Sequence, residues 1–260
     1  MAEPGSVLHS FRLTKPKDVG AQEIERPLIL ETPIAIEING VAYAVMMATP
    51  LDLEDFVLGF CLSEGLTKSR DDLLSLDLAE VEGGVIARAQ LPSELAAPAM
   101  ERARSRASES SCGLCGIESL EQVLRPLAPV TAQMEVADGA IFTALEALYS
   151  YQKLNAATGS AHAAAFCWPD GSIHLVREDV GRHNALDKLI GALARDGTSV
   201  PSGFILLTAR CSFELAQKAI IANCPLLVTI SAPTSLAVEQ AKAHGLRLVS
   251  LARPDSFLES

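Results

Sequence analysis

No stretch of this 260-residue sequence approaches the ~18 to 20 continuous apolar residues that a membrane-spanning helix needs. The start, Met1-Ala2-Glu3-Pro4-Gly5-Ser6, has neither the basic residues nor the apolar run of a secretory signal. A cytoplasmic location with no membrane partner is therefore expected. Positive charge is also scarce, with 21 Lys and Arg against 32 Asp and Glu and a net charge of −11. That balance excludes the basic face of a typical nucleic-acid binder. There is no internal repeat and no long low-complexity linker. The six cysteines include only one close pair, and in a reducing compartment such a pair binds metal or reacts more readily than it forms a structural disulfide.

The acidic excess is uneven. Residues 161–260 hold nine Lys or Arg and nine Asp or Glu, whereas the first 160 residues hold twelve against twenty-three. An anionic ligand is better tolerated by the neutral C-terminal part.

The close pair lies in Ser110-Ser111-Cys112-Gly113-Leu114-Cys115-Gly116, after the polar run 101–109. Glycine flanks and the absence of an apolar period read as an exposed, mobile loop. Four chemistries compete for the two thiols. Structural zinc needs four ligands and the pair supplies two, so His162, His183 or a second subunit would have to complete the site. A thioredoxin-like site needs a strand-to-helix junction, which these flanks do not resemble. A purely structural pair has no evident partner. In sulfur transfer, one thiolate accepts sulfur as a persulfide and its neighbour helps to release it.

Along the chain, short branched strands at 27–30 and 34–38 meet a hairpin signal at Asn39-Gly40, followed by a strand over 41–46. Thr49-Pro50 reads as the cap and first residue of a helix, with Leu53, Phe56, Val57, Phe60 and Cys61 on one buried stripe and Gly65 as its stop. Glu82-Gly83-Gly84 marks a further strand pair. Asp138 reads as the cap of the next helix. Strands at 163–168 and 172–177 flank the Pro169-Asp170-Gly171 turn, and an amphipathic helix runs over 182–193. Strands at 204–208, 226–230 and 246–250 then alternate with helices at 212–222 and 234–244. That alternation predicts parallel β-α-β units in a layered α/β domain.

In such sheets, ligands gather beyond the carboxyl ends of the strands, where helix N-termini present free amides. Three polar turns fit this: 208–212 with Arg210, 231–235 with Ser231 and Thr234, and the dense stretch from Arg177 to Asn184. Read without a ligand, each is ordinary capping and loop solvation, and His162 and His183 are hydrogen-bonded structural histidines.

Several stretches together resemble the formate dehydrogenase accessory proteins, the FdhD sulfur carriers. They are residues 111–116, 158–164, 177–188, 212–214 with Lys218-Ala219, and 231–238, and the run from Arg177 to Lys188 is the most specific of them. The resemblance implies a sulfurtransferase that takes sulfur from a cysteine desulfurase. It passes that sulfur to the molybdenum bis(molybdopterin guanine dinucleotide) cofactor before insertion into formate dehydrogenase. It places the persulfide on Cys112, with Cys115 assisting, and implies a homodimer that uses GDP as a surrogate ligand. The segment linked to cofactor binding falls at Leu251, Ala252, Arg253, Pro254, Asp255 and Ser256. Arg177, Arg182, Arg210 and Arg253 suit a phosphate-rich ligand.

The expected architecture is a smaller α+β region over 1–100, the cysteine loop over 101–125, and a cytidine deaminase-like three-layer domain over 126–260. Deaminase chemistry is not expected, because the zinc motif of that fold is missing. A non-enzymatic chaperone that holds the finished cofactor, with the cysteine pair in a zinc or redox role, is the alternative function.

Overall fold

A computed structural model describes residues 3–15, 22–97, 100 and 126–260. The loop expected over 101–125, with Cys112 and Cys115, lies outside the described residues.

The chain opens with an antiparallel ribbon of β1 (Ser6–Leu13) and β2 (Gln22–Ile29). A four-stranded sheet follows, built from β3 (Thr32–Ile38), β4 (Val41–Ala48), β5 (Ser75–Val81) and β6 (Gly84–Gln90) in the order β4-β3-β6-β5. Asn39 and Gly40, both at positive φ, close the β3–β4 hairpin as the sequence predicts. Ile34, Ile36 and Ile38 alternate onto one face of β3 and pack with Ala87 and Ala89 of β6. Phe56, Val57 and Phe60 from α1 (Leu53–Ser63) cover that face, and Cys61 is part of the same core.

α1 starts later than the sequence suggests. Asp52, in the left-handed conformation, precedes it, and Thr49 does not cap it. Thr49 is engaged elsewhere: its amide donates to the Asp179 carboxylate at 3.0 Å, and its hydroxyl accepts from the amide of Val180 at 3.1 Å. A second correction concerns Asp138, which is the first residue of α2 (Asp138–Leu148) with Ala137 at the cap position. Its carboxylate still lies in the first turn, where negative charge favours the helix.

The C-terminal sheet has six strands in the order β12-β11-β10-β9-β7-β8. They are β7 (His162–Cys167), β8 (Ile173–Asp179), β9 (Phe204–Leu207), β10 (Leu226–Thr229), β11 (Arg247–Ser250) and β12 (Leu258–Glu259). β9, β10 and β11 run parallel, β7 lies antiparallel to both β8 and β9, and β12 is an antiparallel edge. The short helix α3 (Lys153–Thr158) leads into β7.

Every central strand is apolar on both faces, and the two faces are covered by different helices. On one side α4 (Arg182–Asp196), α5 (Phe213–Ile221) and α6 (Ser235–His244) pack Leu186, Leu189, Leu193, Leu215 and Ala237 against Phe166, Ile205, Leu207 and Leu227. On the other side α2 places Ile141, Ala144 and Leu148 against Ala165, Phe204, Leu206 and Val228. The result is a three-layer α/β/α arrangement.

α1 joins the two sheets by packing on α4. At this crossing Gly59 lies against the carbonyl of Asp187, and Gly191 against the carbonyl of Asp55. A Cβ on either glycine would collide with that backbone. Two helices approach this closely only where side chains are absent.

Candidate functional site

The strand directions decide which polar turns meet. Because β7 is antiparallel to β9, its first residue, His162, lies at the edge where β9, β10 and β11 end. β8 is antiparallel to β7 and pairs Asp179 with His162, so the turn after β8 returns to that edge too. Backbone bonds stitch the turns together. The amide of Thr208 donates to the carbonyl of Ala163 at 3.0 Å, and the amide of Thr234 to that of Cys211 at 2.9 Å. The amide of Ala252 donates to the carbonyl of Thr229 at 3.1 Å. His162, Arg182, His183, Arg210, Ser231, Thr234 and the segment 251–256 therefore share one edge of the sheet.

Within that group the side chains differ in what they leave available. Thr234 caps α6, its hydroxyl accepting from the amide of Ala237 at 3.3 Å. Leu251 takes a left-handed φ of 49°, a conformation that costs a branched side chain about 1 kcal/mol or more and turns the chain sharply after β11. Beyond it Ala252 is buried, whereas Arg253, Pro254, Asp255 and Ser256 are exposed, and so is Arg210.

Arg182 is half-buried at the start of α4. Its Nε is shielded from solvent and has no hydrogen-bond acceptor among the described residues. His183 Nε2 lies 3.3 Å from the Ser212 hydroxyl and 3.8 Å from the Glu214 carboxylate. Burial, reinforced by the charge of Arg182, pulls the His183 pKa down to about 4; the same two causes lower that of His162. Both imidazoles are therefore neutral near pH 7.

Arg177 does not join this edge. It lies inside β8 and turns towards α1, with Nη2 2.7 Å and Nε 2.8 Å from Asp55 Oδ2. Arg195 binds the other oxygen of Asp55 at 2.7 Å. The side chain expected to meet a phosphate is thus committed to an ion pair that joins α1 to the C-terminal layers.

The same holds for most of the stretch from Arg177 to Lys188. Asp179 is fully buried and accepts from four groups: the amide of Thr49, the amide of Gly181, Asn184 Nδ2 and Lys188 Nζ, the last at 2.7 Å. Asn184 also donates to the carbonyl of Met47 at 2.7 Å. One turn on, buried Asp187 meets Lys218 Nζ at 2.9 Å and the Ser63 hydroxyl at 2.5 Å. Asp179, Asp187, Lys188 and Lys218 all fall in the stretches that carry the family resemblance, 177–188 and Lys218-Ala219, but their pattern in the sequence gives them no individual role. They position the turn from which Arg182 and His183 project.

The four described cysteines, Cys61, Cys167, Cys211 and Cys224, are all buried free thiols. Burial pushes each pKa up to about 12, so none is a thiolate near neutral pH. Among the described residues, no group of three or more His, Cys, Asp or Glu is placed to hold a metal ion. No described helix is long and apolar enough to cross a membrane.

A family model described as the FdhD/NarQ family matches residues 29–258. A protein of Variovorax paradoxus named sulfur carrier protein FdhD is 46% identical over 229 residues, covering 88% of this chain and 82% of its own length. One of the same name from Xanthomonas euvesicatoria is 44% identical over 250 residues, covering 96% and 88%. The fold matches a crystal structure described as a formate dehydrogenase accessory protein of Desulfotalea psychrophila. The TM-score is 0.76 at 23% identity, over 98% of this chain and 96% of that one.

Proposed function

The chain belongs to the FdhD/NarQ family, and on that premise we propose that it is a cytoplasmic sulfur carrier for formate dehydrogenase maturation. It takes sulfur from a cysteine desulfurase as a persulfide on Cys112 and delivers it to the molybdenum bis(molybdopterin guanine dinucleotide) cofactor, which is its substrate. The observation that carries this reading is the state of the thiols. Of six cysteines in the sequence, four are buried and protonated, which leaves Cys112 and Cys115 to do thiolate chemistry.

In the first step the Cys112 thiolate attacks the outer sulfur of the donor's persulfide. A new S–S bond forms and the donor thiolate leaves. In the second, the Cys115 thiolate attacks the inner sulfur of the Cys112 persulfide. This releases the outer sulfur at the acceptor as hydrosulfide and leaves a Cys112–Cys115 disulfide.

The acceptor binds at the shared strand edge. Arg182, Arg210 and Arg253 offer charge-assisted bonds to its phosphates there, and Ser231 and the turn 251–256 line its approach. GDP serves as a surrogate for its nucleotide end. The three-layer C-terminal part belongs with the cytidine deaminase-like folds in this reading, and the working protein is a homodimer.

Mass spectrometry of the chain after incubation with a cysteine desulfurase and cysteine tests the carrier step. One added sulfur is expected on the peptide holding Cys112, and none after Cys112→Ala. A Cys112→Ala, Cys115→Ala chain that still yields active formate dehydrogenase would instead make the protein a binding chaperone.

A further inference from the structure

The end of the sheet away from the strand edge carries a cavity that the proposed function does not use. α4 and α5 start at the edge, and the cavity, of about 800 Å³, lies against their last turns. That is the size of a small-molecule site. Ala194 of α4, Ile221 of α5, Leu62 of α1, Val200 and Ala222 line it, and all five are only half-buried. The turn after α1 supplies its polar side through Thr67, Lys68 and Arg70.

Charge around this cavity has one sign. Two cations line it and, among the described residues, no carboxylate does, in a chain of net charge −11. The neighbouring carboxylates are engaged elsewhere. Asp72 accepts from the amides of Lys68 and Ser69 at 2.8 and 3.0 Å. Asp196 lies 2.9 Å from His174 Nε2 and accepts from the Thr198 hydroxyl at 2.5 Å. Glu64 lies 3.6 Å from Lys218 Nζ, and Asp71 lines a separate cleft with Leu74 and Arg195. Lys68 gives Asp72 its amide, and its ammonium forms no salt bridge among the described residues. Arg70 donates to the carbonyl of Arg195 at 3.1 Å through one of its two Nη atoms.

Three helices end here, and a helix C-terminus by itself disfavours an anion. Each end is closed by backbone bonds, however: the carbonyl of Leu62 accepts from Gly65, that of Leu193 from Thr198 and that of Ile220 from Asn223. The two cations therefore decide the sign. Thr67 adds an independent sign of a missing ligand. It is 3% exposed, and its hydroxyl has no hydrogen-bond partner among the described residues. Buried hydroxyls are seldom left so, because the unmade bond costs the group its full desolvation.

We propose that this cavity is a binding site for an amphiphilic carboxylate. The apolar body lies on Leu62, Ala194, Val200 and Ile221, whose half-exposed surfaces it covers. The head group meets Lys68 and Arg70 and gives the Thr67 hydroxyl an acceptor; the planar fork of an arginine matches a carboxylate. The site rests on its lining alone and not on the sulfur-carrier reading.

Decanoate is the probe, and decylamine, of the same chain length and positively charged at pH 7, is its counterpart. Calorimetry on the full chain at pH 7 should show about one decanoate bound per chain and no binding of the amine. Ala194→Trp places an indole in the cavity and should abolish binding, with an unchanged urea midpoint showing that the fold is kept. Lys68→Gln and Arg70→Gln, at exposed positions that do not endanger the fold, should each weaken decanoate about threefold. Thr67→Val should weaken it as well. Absence of decanoate binding, equal binding of the amine, or wild-type affinity in Ala194→Trp or in both charge variants overturns the proposal. None of these outcomes bears on sulfur loading of Cys112, which mass spectrometry reads separately.

Discussion

Two arginines five positions apart, both exposed in the sequence as phosphate candidates, behave differently at the level of single side chains. Arg177 shares the buried carboxylate of Asp55 with Arg195. Arg177→Gln should therefore cost about 1–2 kcal/mol of stability, read from urea unfolding, and leave nucleotide binding unchanged. Arg182 has no acceptor to lose among the described residues, so Arg182→Gln should leave the urea midpoint unchanged or raise it. His183 adds a pH dependence. Its ring stays neutral in the folded chain down to about pH 4, whereas the unfolded chain protonates it near 6.5. The unfolded state therefore binds more protons between those values. Stability from this group is complete above pH 6.5 and falls as pH drops towards 4, by about 2 kcal/mol at pH 5. Unfolding curves at pH 7 and pH 5 should show that loss, and His183→Gln should remove it.

Among the elements, the α1–α4 crossing is the tightest joint. Gly59 and Gly191 let each helix backbone touch the other. Gly59→Ala, which ordinarily favours a helix, should here destabilise the fold by about 1–3 kcal/mol, because the added methyl meets the Asp187 carbonyl and forces the helices apart. Exposed Gly139 of α2 has open space around it. Gly139→Ala should be neutral or slightly stabilising, and thermal melts of the two variants beside the wild type check both statements.

For the molecule as a whole, buried charge ties the four-stranded sheet and α1 to the C-terminal layers. Asp179 with Lys188, and Asp187 with Lys218, place ionic groups in an interior where neither partner tolerates the loss of the other. Burial raises the Asp187 pKa while Lys218 opposes that rise. Lys218→Met should cost about 3–5 kcal/mol by leaving Asp187 unpaired. Asp187→Leu with Lys218→Met should cost less than Lys218→Met alone. Equilibrium denaturation of the three chains checks both statements. Because Asp179 also accepts from the amide of Gly181, the α1 region helps to shape the turn that presents Arg182. The site is a product of both sheets.

Much of this was readable without coordinates, for physical reasons. Asn39-Gly40 forces a tight hairpin because both positions need positive φ. The apolar strands after residue 203 had to be buried on both faces, which left a layered parallel sheet as their solution. The helix start at Thr234 followed from capping chemistry, whereas Ser212 takes the cap position of α5 without its hydroxyl bonding the helix amides. Where local signals misled, long-range bonds had prevailed. Thr49 failed to cap α1 because Asp179 and Val180, some 130 positions away, engage its amide and hydroxyl. Composition and spacing could nominate Arg177 and Arg182 equally, since an arginine's partner is set by what faces it and not by its neighbours in the chain. The sequence by itself determined the element types, the parallel C-terminal strands and the family. Only the tertiary structure decided that Arg177 pairs with Asp55 in the joint while Arg182 stays at the strand edge without such a partner among the described residues, because strand direction and helix packing determine which charges meet.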